Sequence, residues 1–112
     1  MVFYELPAFA KVREHYLDDA AYMGLQNVLI ANPEAGTVIS GTGGLRKIRY
    51  GDEVRGKGKR SGLRVIYFWK DVDDQIWLFA VYDKDEADDL SADQRKVLKS
   101  RLQSYIKAGV LK

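Results

Sequence analysis

The stretch LRVIYFWKDVDDQIWLFAVY, residues 63–82, decides the fold. Its two halves, LRVIYFW (63–69) and QIWLFAVY (75–82), carry aliphatic or aromatic side chains at nearly every position. Successive side chains of a strand point to opposite faces. A strand that is apolar at both parities therefore needs cover on both sides. The intervening DVDD is rich in a turn-forming residue type and reads as a hairpin turn. The segment is predicted to supply two central antiparallel strands.

Moving towards the N-terminus, LRKIRY (45–50) switches to period two. Ile48 and Tyr50 share one face, while Lys47 and Arg49 share the other. GTVISGTGG (36–44) reads as a loop. Tyr22, Leu25, Val28 and Leu29 form the apolar stripe of a helix. Asp18 or Asp19 can cap its start, and Pro33 ends it near Asn32. Phe9, Val12 and Tyr16 mark an earlier helix, with Pro7 in its first turn, where a missing N–H costs nothing. The two helices are predicted to form a short antiparallel hairpin. VFYEL (2–6) reads as a short strand. Beyond residue 82, Ser91-Ala92-Asp93-Gln94 is a capping-box pattern opening a last helix. Leu98, Leu102, Tyr105 and Ile106 form its buried stripe, and Gly109 can terminate it. The predicted order is strand, two helices, a three-stranded antiparallel meander and a helix. That is one α+β domain over residues 1–112.

A chain of 112 residues can bury a core without staples. It has no cysteine, which excludes disulfides and thiolate metal sites and fits a reducing cytoplasm. MVFYELPAF shows no basic region followed by a long apolar run, so no signal peptide is expected. VIYFW is far too short to span a bilayer.

The net charge of +2 conceals segregation. Residues 45–70 carry nine Lys or Arg against two acids, residues 71–93 carry nine acids against one lysine, and residues 94–112 carry six cations and no acid. The middle cations coincide with the strands. Lys47 and Arg49 project from one face, and Arg64 opens the next strand. If 51–62 is the connecting hairpin, Arg64 lies beside them. Lys57, Lys59 and Arg60 then hang over the same surface. Six cations on one face repel one another and call for an anionic partner. A nucleic-acid backbone is the best match.

Other motifs carry less. Gly41-Thr42-Gly43-Gly44 lacks the Lys-Ser/Thr ending of a phosphate loop and reads as a turn. His15 is the only histidine, so no two-histidine metal site can form. Asp71, Asp73 and Asp74 suit a tight turn. The serines have no evident histidine partner, and Trp69 and Trp77 read as core.

Three blocks in order, GTGGLRKIRY (41–50), GKGKRSGLRVIYFW (56–69) and LFAVYDKDEADDLSADQRKVLKS (78–100), resemble the HigB-like toxins of the RelE/ParE toxin–antitoxin superfamily. The resemblance runs from about Phe9 to Leu102. It implies a RelE-like fold similar to microbial ribonucleases, and a ribosome-dependent endoribonuclease that cleaves messenger RNA and inhibits translation. Carried over by position, it gives Lys47, Arg49, Arg64 and Lys84 as catalytic. Arg46, Arg55, Lys57, Lys59, Arg60 and Tyr82 are the surrounding RNA- and ribosome-binding set. The chain departs from the RelE pattern at Asp85, where an arginine is expected, and at Ser91, where a tyrosine is expected. No metal or other cofactor is implied. The implied partners are a helix-turn-helix, HigA-like antitoxin, the ribosome with its mRNA, and operator DNA only through the antitoxin complex. No membrane is implied, and the expected compartment is the cytoplasm.

Cleavage beside a 2′-OH needs that hydroxyl deprotonated, charge stabilised on the phosphorane and a proton for the 5′-oxygen. Arg64 suits a bidentate clamp on the non-bridging oxygens. Lys47 or a loop lysine is the candidate base, since crowded cations favour the neutral amine. A partly exposed Arg64 is expected to matter little for folding. Two rival readings are a ParE-like toxin that poisons gyrase by binding and a non-catalytic RNA-binding domain.

Overall fold

A computed structural model describes residues 1–51, 62–84 and 90–109. Its elements are β1 (Val2–Glu5), α1 (Pro7–Tyr16), α2 (Asp19–Ala31), β2 (Thr37–Val38), β3 (Arg46–Tyr50), β4 (Leu63–Lys70), β5 (Gln75–Asp83) and α3 (Ala92–Lys107). The strands form one sheet in the order β1-β5-β4-β3-β2. As the apolar runs require, β4 and β5 lie inside it and pair antiparallel. A 3-10 turn at Asp71–Asp73 joins them. It closes on Asp74, whose left-handed φ of 54° is one that Asp tolerates.

Each face of the sheet has its own core. On one, Phe9, Leu17, Leu25 and Leu29 from the first two helices pack on Ile48, Val65, Tyr67, Ile76 and Leu78. On the other, Leu98 and Leu102 of α3 pack on Leu45, Ile66, Trp77 and Phe79. Fully burying each such side chain contributes roughly 1.5–3 kcal/mol. The register slips once: Ile66 faces Ala80, but Tyr67 faces Leu78. The extra residue in β5 is a bulge that sends both Phe79 and Ala80 to the α3 side.

Local signals act as the sequence indicates. Asp18 accepts a 2.8 Å hydrogen bond from the Ala21 N–H at the start of α2. Ser91 Oγ accepts from the Gln94 N–H, and Gln94 Oε1 accepts from the Ser91 N–H. That completes the capping box of α3. Gly109 follows with φ +80°, a conformation open to glycine.

Three features differ from the sequence reading. The glycine-rich 36–44 stretch contains β2, which at two residues is too short to show a period. The N-terminal strand joins the sheet parallel to β5, from Val2 opposite Gln75 to Glu5 opposite Leu78. Val28 and Ile106 belong to the predicted stripes but are 41% and 39% exposed. Val28 lies about 80° and Ile106 about 60° around its helix from the centre of the buried pair, at the margin of the stripe. Among the described residues, no helix is long and apolar enough to cross a membrane.

Candidate nucleic-acid interface

The register of three strands builds the site. Lys47 lies opposite Ile66 and Arg49 opposite Arg64, while Arg64 in turn lies opposite Tyr82 of β5. Ile66 belongs to the core under α3. By alternation, Lys47, Arg49, Arg64 and Tyr82 share that side of the sheet. Directly opposed residues hold their Cβ atoms about 5 Å apart, and like charges so placed repel. Two arginines side by side, with a tyrosine next in the row and a lysine two residues along, make a compact surface for an anion.

The members differ in depth. Arg49 is exposed, whereas Lys47, Tyr82 and Lys84 are half-buried. Arg64 is only 3% exposed. Its Nη1 donates to the Gly62 and Leu63 carbonyls at 3.3 and 3.4 Å. The expectation of a partly exposed Arg64 therefore does not hold: β4 is flanked by β3 and β5, so its side chain sits between two neighbouring rows. Lys84 follows the end of β5, and its backbone N–H donates to Gly62 at 3.3 Å. The ladder thus continues one step and keeps Lys84 at the same end of the hairpin as Arg64.

The structure does not bring Arg46 to this group. Arg46 has the parity of Ile48 and Tyr50 and turns to the face of the first two helices. Its Nη1 donates to the Gly36 carbonyl at 2.9 Å, and its Nη2 pairs with Glu34 at 3.3 Å. Tyr67 works on the same loop: its hydroxyl donates to the Pro33 carbonyl at 2.7 Å and accepts from the Gly36 N–H at 2.9 Å. Gly36 fits there because a Cβ would come within 2.8 Å of the Tyr67 ring. Arg46 is a brace for the 33–36 turn. Arg55, Lys57, Lys59, Arg60 and Asp85 lie outside the described residues.

Beside Tyr82 a groove of about 530 Å³ opens between the end of β5 and the first turns of α3. Ala80, Tyr82, Leu90, Gln94, Val97 and Leu98 line it. The sequence reading also passed over Asp83, which is fully buried and faces Leu63 on the opposite side of the sheet from Tyr82. The signal was present, since alternation from Val81 carries Asp83 inward. Counting it among the acids of 71–93 hid it.

The weaker motifs behave as turns or core. Thr42 Oγ1 donates to the Ile39 carbonyl and accepts from the Leu45 N–H, closing the glycine-rich loop. His15 stands edge-on to Tyr16 with centroids 4.8 Å apart. Trp77 is in the core under α3, and Trp69 packs against the other core. No protein-family model matches the chain.

Proposed function

We propose that this chain is a HigB-like toxin with a RelE-like fold, an endoribonuclease that cuts translated messenger RNA. The observation that carries the reading is the Arg49–Arg64 cross-strand pair, aligned with Tyr82 and adjacent to Lys47. A mixed five-stranded sheet with helices on both faces is compatible with it. Opposed arginines concentrate positive charge in one row, which suits an anionic ligand.

In this reading, the scissile phosphate rests on the cationic row. Arg64, 3% exposed and held by the Gly62 and Leu63 carbonyls, fixes a positive charge beneath the non-bridging oxygens. Exposed Arg49 adds a second cation to the charge that grows on the phosphorane. The substrate's 2′-oxygen loses its proton to a lysine amine and bonds to phosphorus. The bond from phosphorus to the 5′-oxygen breaks, and that oxygen takes up a proton. The products are a 2′,3′-cyclic phosphate and a 5′-hydroxyl end. Lys47 and Lys84 are the candidates for the two proton transfers. With no histidine among Lys47, Arg49, Arg64, Tyr82 and Lys84, alignment of the message by the ribosome supplies much of the acceleration. A helix-turn-helix antitoxin that covers this face or α3, and a cytoplasmic setting, complete the proposal.

Brief induction in growing cells, followed by mapping of new 5′ ends in mRNA, tests the reading. The expected result is cuts within translated frames that disappear in Arg64→Lys. Intact transcripts with broken DNA would instead identify a gyrase poison, and intact RNA and DNA a simple binder.

A further inference from the structure

We infer that the outer face of α3 is a second RNA contact, one that takes the phosphate backbone of folded, double-stranded RNA. It deepens the reading of the chain as a ribosome-acting nuclease, since structured RNA is what a ribosome offers around its message. Lys96, Lys99, Gln103 and Lys107 recur at helical spacing on the solvent side of α3, with Lys99 towards the flank of the buried Leu98 and Leu102. All four are exposed. They span about 17 Å at the rise of an α-helix. Over Ala92–Lys107 the helix carries five cations, Arg95 and Arg101 included, against the single acid Asp93.

Two observations set this ridge apart from an ordinary solvated helix face. The first is pairing. Elsewhere Arg13 pairs with Asp19, Arg46 with Glu34 and Lys70 with Asp73. Among the described residues Lys96, Lys99, Arg101 and Lys107 form no ion pair, although Asp93 lies three residues before Lys96. The second is crowding. Lys96 and Lys99 stand three residues apart on α3, and Arg95 and Lys99 four apart. Like charges at these helical spacings repel one another. An anionic partner along the ridge compensates both costs. The α3 layer also covers the face that bears Lys47, Arg49 and Arg64, so both cationic surfaces lie on one side of the sheet. The helix approaches duplex RNA as a rigid comb of point charges, which suits backbone contact without sequence reading.

The test uses the full chain with Lys96→Gln, Lys99→Gln and Lys107→Gln combined, substitutions that leave helix propensity nearly unchanged. Binding to a plain RNA duplex is titrated at several salt concentrations, with Lys11→Gln on α1 as the control. Each phosphate contact contributes about 0.9 to the log–log salt slope. The triple variant is expected to lose about two to three units of slope and at least about tenfold in affinity, while the control stays within about twofold. Equal affinity and slope in the triple variant and the wild type would overturn the inference, even if the wild type cleaves mRNA. Loss of duplex binding in the triple variant, in a chain that cuts no message, would uphold the ridge and remove the nuclease reading. If polyglutamate displaces the protein as well as duplex RNA does at equal charge, the face belongs to an acidic protein and the inference falls.

Discussion

The two faces of the sheet are built to different ends. Under the first two helices, the row Ile48, Val65 and Val81 runs from strand to strand and is apolar throughout. Its polar neighbours are closed: Arg46 on Glu34 and Gly36, Tyr67 on Pro33 and Gly36, Tyr22 on Glu5. Under α3, the next row along, Arg49, Arg64 and Tyr82, is polar at the sheet's own centre. One register step separates an apolar row from one that sets two arginines side by side. The difference teaches that burial alone does not identify a core, because Arg64 is as buried as many of the aliphatic residues.

The contrast can be broken or sharpened by substitution. Phe9→Ala, at a fully buried position on the first face, is expected to cost about 3–5 kcal/mol in denaturant unfolding. It should leave cut-site preference unchanged in whatever fraction remains folded; a new preference would mean that the two faces are not separable. Arg64→Lys keeps the charge and most of the stem but loses the planar fork. A drop of about 10²–10³ in cleavage rate is expected, as for loss of one donor to a developing anion, together with a smaller loss of about 1–2 kcal/mol in unfolding from the disturbed bonds to the Gly62 and Leu63 carbonyls. Equal losses in rate and stability would make Arg64 a structural cation. Ser91→Ala removes one half of the α3 capping box and is expected to cost about 1 kcal/mol without altering the cationic row. A large change in cleavage would show that the start of α3 takes part in the site.

The smallest effect concerns pH. Burial, followed by the 2.6 Å hydrogen bond to Glu5, holds the Tyr22 phenol above its ordinary value of 10.0. The folded chain therefore keeps this proton longer than the unfolded chain. Its contribution is complete below pH 10 and declines as pH rises beyond that. Tyr22→Phe should be less stable near neutrality and lose less stability between pH 9 and 11. A parallel alkaline decline in both proteins would remove Tyr22 as the cause.

Most of the architecture was legible in the sequence, because β4 and β5 announce burial on both faces and LRKIRY announces alternation. Asp18 and the Ser91–Gln94 box could be read directly, since capping depends on neighbours in the chain. What could not be read depends on distant partners. Nothing in VFYEL specifies a parallel neighbour, and nothing in Thr37-Val38 distinguishes a two-residue strand from a loop. Arg46 is a different case. Its parity already set it apart from Lys47 and Arg49, but its charge grouped it with them. Arg64's side was legible and its depth was not, since depth follows from having strands on both flanks.

The parallel docking of β1 has a consequence for how the chain is made. Val2 waits for Gln75, seventy-three residues later, while β2, β3, β4 and β5 pair with their neighbours in chain order. β1 thus emerges during synthesis well before its partner and is placed only after β5 exists. Until then the outer rim of β5, with Ile76 and Leu78, offers unpaired backbone groups to any passing strand. β1 is a late cover for that rim. A chain starting at Pro7 is expected to keep the β3–β5 meander but to self-associate through the uncovered edge, which sedimentation at rising concentration would reveal; a strictly monomeric product would show that the rim is protected by other means.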